Sequence, residues 1–238
     1  MHKIKVGDIE VNIVRKNIKN LHLGVYPPTG RVRIATPLKI DDDAVRLFII
    51  SKIQWIKKQQ SNFNSQERQK QRDYVSGESH YFNGKRYLLH VIEYSGPSKV
   101  EIKKRNYIDL FTRQKNNRDQ KERIMDKWYR DYLKKQIPPI INKWEKSIGV
   151  NINYWGIRKM RTRWGTCNIK AKRIWLNLEL AKKPLHCLEF IILHEIVHIL
   201  EKNHNELFKS VMDKFLPRWR QSKEELKESI LPYANWKY

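Results

Sequence analysis

The stretch EFIILHEIVHILEKNH, residues 189–204, constrains this chain more than any other. A helix this apolar has to be buried, yet its interior carries two histidines and a glutamate. Buried polar groups are tolerated only when something partners them. His194 and His198 are four residues apart, one helical turn, so their imidazoles share a face and can converge on one ion. Glu195 stands beside the first, where a carboxylate reaches a metal-bound water rather than the metal. Two fixed ligands, one base and one open coordination position are what metal-assisted hydrolysis requires. The plain alternative is a core helix with two satisfied histidines. At average usage H-E-x-x-H arises in a random chain of this length with a probability on the order of one in a hundred, which weighs against it.

A third protein ligand is needed. His204 lies ten residues after His194, so the helix must stop soon after His198 and turn. Asn203 tolerates the left-handed conformation at a helix end and can cap the next helix, with Glu206 as capping-box partner. That places His204 in the first turn of the new helix. Glu206, Glu224 and Glu225 are competing carboxylate ligands. Glu206 has the capping role available, and the other two sit in the charged run SKEELKE, the pattern of a solvated face. Zinc suits neutral imidazoles, although manganese, cobalt or nickel would fit the same nitrogens.

Two regions are expected around this motif. Residues 1–117 read as mainly β with one helix, and residues 118–238 as the hydrolase domain, giving an α+β fold. IEVNIVRK and HLGVYPPTGRVRIATP alternate at period two, with Pro-Pro-Thr-Gly as a turn. DDDAVRLFIISKIQWIKKQQ predicts one helix capped by Asp, with Val45, Phe48 or Ile49, Ile53 and Ile56 facing the core. SNFNSQERQKQRD reads as an exposed helix end or linker. HYFNGKRYLLHVIEY predicts a hairpin turning at Asn83-Gly84, and KVEIKKRNYIDLFT a second. From Arg118 the pattern turns helical, with Ile124, Trp128 and Tyr132 on one stripe and Ile140, Trp144 and Ile148 on another. Pro138-Pro139 is expected to break or kink it. Short strands follow in VNINYWGIRK and RTRWGTCNIKAKRIWLNLEL, the latter folding back around Asn168 to Lys172. Pro184 then opens the motif helix, and Pro217 breaks the last helical region. No internal repeat is visible.

The chain of 238 residues carries 49 Lys+Arg against 25 Asp+Glu, a net charge of +24. Residues 1–150 hold 32 against 16 and residues 151–238 hold 17 against 9, so the excess is spread rather than held in a tail. Such a field draws nucleotides, nucleic acid or acidic surfaces. The bland reading is basic residue usage without a partner. No stretch approaches the length of a membrane-spanning helix, the N-terminus lacks the apolar core of a signal peptide, and no membrane partner is expected. Cys167 and Cys187 make no disulfide framework. These features predict a cytoplasmic protein.

The segment RKMRTRWGTCNIKAKRIWLNLEL, followed by FIILHEIVHILEKNHNELFKSVMDKFLPRW, resembles the YgjP-like metal-dependent hydrolases, which are related to the SprT and WLM zincin proteases. The resemblance covers residues 149–219. It implies a zincin-type domain in which zinc is bound by His194, His198 and His204 and Glu195 is the catalytic base. It also implies a peptide or protein substrate lying along the edge strand of the sheet, with RIWLNLEL as the strand near the cleft. The histidine spacing matches metzincins too, but Glu201 stands where those carry glycine, and Met212 lies in a helical pattern rather than a Met-turn.

Arg161 and Arg163 are two apart, so on a strand they point to one side, where they can hold a substrate carboxylate or phosphate. Asn177 is a further candidate for substrate contact. Trp164 reads as packing, Gly165 as a bulge or close approach, Cys167 as a small core residue, and His186 and Cys187 as structural. Arg163 and Tyr154 are the candidate oxyanion donors. Three functions compete: a zinc metallopeptidase, a nucleoside triphosphate pyrophosphohydrolase using the same metal site, and a DNA-associated protease with a basic nucleic-acid-binding surface.

Overall fold

Period-two alternation does build strands at the start of the chain. The computed structural model describes residues 2–26, 30–65, 72–103, 106–160 and 163–228. The strands are β1 (His2–Val6), β2 (Ile9–Lys16), β3 (His22–Tyr26) and β4 (Arg31–Pro37). They form a sheet of order β1-β2-β4-β3 in which β2 and β4 run parallel. Val11, Ile13, Val32 and Ile34 turn inward and meet Val45, Ile49 and Ile56 of two helices, α1 (Asp42–Ser51) and α2 (Ile53–Ser65). The Asp41 carboxylate caps α1 by accepting the Ala44 N–H at 2.7 Å. The single expected helix is thus divided. Lys52 leaves helical geometry at ψ 7°, and its N–H bonds the Ile49 carbonyl at 3.0 Å, the three-residue spacing that tightens a last turn. The Pro-Pro-Thr part of the first turn and residues 66–71 of the SNFNSQERQKQRD stretch lie outside the described residues, and the start of that stretch forms the end of α2.

The chain separates into two compact units that divide between Arg68 and Gln69. The division expected at 117/118 therefore falls inside the second unit. The physical reason is a shared core: Leu89, Ile108 and Leu110 of the second sheet are buried in one cluster with Met125, Tyr129 and Leu133 of the helix that follows. That sheet comprises β5 (Ser79–Phe82), β6 (Lys85–Glu93), β7 (Lys99–Lys103) and β8 (Tyr107–Thr112) in the order β5-β6-β8-β7. β6 and β8 run parallel, and the other pairs antiparallel. This is the topology of the first sheet over again, a repeat hidden at the level of residues because turns and strand lengths carry it.

Asn117 opens α3 (Arg118–Ile148) with a reciprocal capping box to Gln120, and Gly149 closes it in the left-handed region at φ 78°. The helix runs on through Pro138 and Pro139, so the pair does not break it. Leu133, Ile137, Ile141 and Trp144 are buried on both sides of the pair, so packing holds the helix where backbone bonds are lost. The buried stripe is Met125, Tyr129, Leu133 and Ile137, one residue on from the expected one; Ile124, Trp128 and Tyr132 pack at its margin.

The third sheet has β9 (Tyr154–Arg158), β10 (Gly165–Asn168) and β11 (Arg173–Asn177) in the order β10-β11-β9. β10 and β11 form the expected hairpin, and Lys172 in its turn adopts φ 45°. A short 3-10 helix (Leu178–Lys182) leads into α4 (Leu185–Leu200), which Pro184 opens. α5 (Glu206–Phe215) and α6 (Trp219–Glu228) complete the described residues, with Pro217 between them as expected.

The hairpin tip supports the start of α4. Asn83 and Gly84 both have positive φ, at 47° and 77°, and their N–H groups donate to Ala181 and Lys182 carbonyls at 3.0 and 3.1 Å. A Cβ on Gly84 would lie 2.6 Å from Cγ of Pro184. Gly84→Ala is expected to cost roughly 1–3 kcal/mol, combining left-handed strain with overpacking. A lowered urea midpoint with unchanged slope checks this.

Candidate metal centre

The middle of α4 is buried: Leu188, Ile192, Leu193, Ile196 and Val197 have at most 1% of their surface exposed. The helix turn that carries His194 and His198 also carries Glu195, so one apolar element fixes all three. The chain leaves helical geometry at Glu201, with φ −135° and ψ 115°, and returns through His204. The cap of α5 is Asn205, not Asn203; its side chain accepts the Phe208 N–H at 3.0 Å. His204 therefore precedes the helix instead of lying in its first turn, and Asn203 does not take the left-handed conformation. Two asparagines two residues apart offer the same capping chemistry. The later one leaves an extended residue free to reach back.

The three imidazoles form an equilateral triangle, with every pair of ring centroids 4.8 Å apart. Their candidate ligand atoms all lie within 4.8 Å of one another. Nε2 of His194 faces Nε2 of His204 at 3.0 Å. Two nitrogens bound to one tetrahedral zinc at 2.0–2.1 Å lie about 3.3 Å apart, so this spacing fits a shared ion closely. His198 donates Nδ1–H to the Glu201 carbonyl at 3.1 Å, which frees its Nε2 lone pair. Glu201 also accepts the Asn203 N–H through its carboxylate, so the residue standing where metzincins carry glycine organises this loop. Burial, with the electrostatic influence of the adjoining His198 and His204 rings, pushes the His194 pKa down to about 3. His204 is lowered in the same sense, first by burial. Neutral imidazole is the form that ligates metal.

Phe208 was not legible as part of this site. Its ring lies 5.0, 4.9 and 4.7 Å from the rings of His194, His198 and His204, and it is 1% exposed, so it floors the triangle. The available signal was the apolar pair Phe208 and Met212, four apart on α5 and both buried. Of the competing carboxylates, Glu206 pairs with Lys209 at 2.5 Å and Glu225 with His186 at 2.7 Å. The latter pair, beside the fully buried Cys187, ties the start of α4 to α6. Burial raises the Cys187 thiol to about 12, the protonated state of a structural cysteine. Cys167 is likewise raised by burial, to about 11.

Glu195 is 6% exposed, and burial pushes its pKa up to about 8 against the opposing charge of Arg163. It sits against β10: a Cβ on Gly165 would lie 2.6 Å from its Oε1 and 2.9 Å from Cγ2 of Ile191. Gly165 is thus the close approach that lets the carboxylate lie beside the strand. β10, rather than β11 of the RIWLNLEL segment, is the strand at the cleft, because β11 is central and β10 is the edge. Arg163 lines the cleft, whereas Arg161 lies outside the described residues. Asn177 is not a substrate contact. It is 0% exposed, its amide donates to the Met160 and Arg163 carbonyls at 2.9 and 2.8 Å, and its Oδ1 accepts the Met160 and Glu179 N–H groups. A side chain so committed clamps the backbone of Met160 and Arg163 instead. Tyr154 is half exposed beside Trp175 and does not line the cleft.

Residues 19–229 match the YgjP-like family model, described as a metallopeptidase domain. The chain belongs to the YgjP-like metallopeptidase family. It is accordingly a metal-dependent peptidase by family. No curated protein matches it. Among solved structures it is similar to the metallopeptidase zymogen abylysin of Pyrococcus abyssi, at 16% identity and TM-score 0.35, covering 37% of this chain and 89% of that one. It is also similar to the metallopeptidase zymogen jannalysin of Methanocaldococcus jannaschii, at 27% identity and TM-score 0.34, covering 39% and 86%. Among the described residues of this YgjP-like chain, no helix is long and apolar enough to cross a membrane.

The raised Glu195 pKa has a stability consequence in metal-free protein. The folded state holds this proton up to about pH 8 while the unfolded state releases it near 4.5, so Glu195 costs stability increasingly as pH rises between those values. Glu195→Gln is expected to raise the melting temperature of metal-free protein by roughly 5 °C at pH 8, with the gain shrinking toward pH 4.5. Paired thermal scans in chelator across that window check the sign.

Proposed function

We propose that His194, His198 and His204 hold one zinc ion and that Glu195 is the general base of peptide-bond hydrolysis. The observation that carries this reading is the equilateral histidine triangle with a buried carboxylate on the same helical turn. Zinc bound there would supply Lewis acidity, acidifying water and polarising a carbonyl oxygen. Glu195 takes the proton of the attacking water and delivers it to the departing amine. Its raised proton affinity suits a base, and the Arg163 charge opposes part of the rise that burial causes. Arg163, exposed at the cleft, is placed to meet negative charge developing on the carbonyl oxygen. The outer edge of β10 beside Glu195 offers backbone pairing to an extended peptide.

Zinc-loaded protein is expected to cleave members of a peptide library read by mass spectrometry. Glu195→Gln should bind zinc stoichiometrically yet lose roughly 100- to 10,000-fold in kcat/KM. His198→Ala should lose zinc as well as activity. Cleavage undiminished in Glu195→Gln would refute the assignment of the base. Pyrophosphate release from nucleoside triphosphates by the same preparation, lost in that variant, would move the site to phosphoanhydride chemistry. The DNA-associated reading draws on charge alone and gains no specific support from the fold.

A further inference from the structure

The cleft beside the histidines, about 420 Å³ in volume, has two unlike parts. One wall is apolar. Phe190 and Trp219 stack with ring planes 16° apart and centroids 6.1 Å apart, and Ile191 and Leu226 extend the surface. Trp219 is fixed by its Nε1–H, which donates to Asp213 at 2.8 Å, so the wall exists before anything binds. A cleft of this size and character takes a bulky side chain.

The rim of that wall is cationic. Lys209 and Lys223 both line the cleft. Lys209 is neutralised by Glu206 at 2.5 Å. Lys223 is exposed, with its ammonium 5.5 Å from the centre of the Trp219 ring, and has no carboxylate partner among the described residues. Glu195 is the one acidic group among the described lining residues, and it is buried. An anionic group brought in beside an apolar side chain therefore meets an uncompensated ammonium and no opposing surface charge.

We propose that this cleft selects peptides that lay a bulky apolar side chain against Phe190 and Trp219 and set a carboxylate against Nζ of Lys223. The inference rests on the peptidase reading and names its substrate class. The carboxylate can come from an acidic residue or from a free C-terminus; the two are chemically alike at Lys223.

Titration calorimetry on the zinc-loaded full chain carrying Glu195→Gln tests this without turnover. The ligands are short peptides bearing Phe next to Glu or next to Lys with amidated C-termini, the neutral peptide with a free C-terminus, and each with Phe replaced by Ala. The Phe-Glu peptide is expected to bind about fivefold tighter than Phe-Lys, the upper range for an exposed charge pair. Adding Lys223→Gln should remove the preference, Lys223→Glu should reverse it, and Ala in place of Phe should weaken every peptide. Whichever of the Glu and free-terminus peptides responds more to Lys223→Gln identifies the source of the carboxylate. Equal affinities, undetectable binding, or a preference that survives Lys223→Gln would overturn the proposal. Wild-type digestion of the same peptides separates the two claims. Cleavage without a Lys223-dependent preference sinks only the selectivity, and preference without cleavage sinks only the peptidase reading.

Discussion

Everything at the candidate metal centre depends on α4 being buried with polar groups in its middle turn. The apolar faces of that helix take it out of water among α3, β10, α5 and α6. His194, Glu195 and His198 go with it. In that environment imidazole stays neutral and carboxylate holds its proton more tightly. The first effect favours a bound cation, because the ring nitrogens are free of protons. The chain sets two ring nitrogens, Nε2 of His194 and Nε2 of His204, face to face at 3.0 Å. A divalent ion accepting those lone pairs and drawing Glu195 toward ionisation relieves a cost that the folded protein otherwise carries.

The surrounding elements act as spacers with close tolerances. Gly165 lets β10 approach Glu195 without a side chain between them, and Gly84 lets the β5–β6 hairpin press on Pro184 where α4 begins. Asn205 caps α5 and in doing so fixes both its neighbour His204 and the floor residue Phe208. Asn177 ties the backbone of Met160 and of Arg163, which lines the cleft, to the end of β11. Substrate-facing groups are thus few, and most of the polar side chains around them hold backbone.

What was legible in the sequence was what is local. The spacing of His194, Glu195 and His198, the Asn83-Gly84 turn, the β10–β11 hairpin and the stop at Pro217 each depend on a few adjacent residues. Expectation and structure part where distant packing decides. Asn203 and Asn205 are equivalent as caps until His204 must face His194. Pro138-Pro139 breaks a helix in isolation but not one anchored by Leu133, Ile137 and Ile141. Asn177 looks like a strand-borne polar contact until the loop that consumes its amide is in place. Phe208 carries no polar signal at all, and its role follows only from its distance to three rings. Strand patterns do not say which helix a sheet will pack against, so nothing local separates the second sheet from the first.

The most direct test of the central claim is X-ray absorption at the zinc edge of the loaded protein, with His204→Ala alongside. The account predicts three imidazole nitrogens at about 2.0–2.1 Å with one further light ligand in wild type, and one imidazole fewer in the variant. A spectrum unchanged by His204→Ala, or one showing sulfur, would contradict it and place the metal elsewhere.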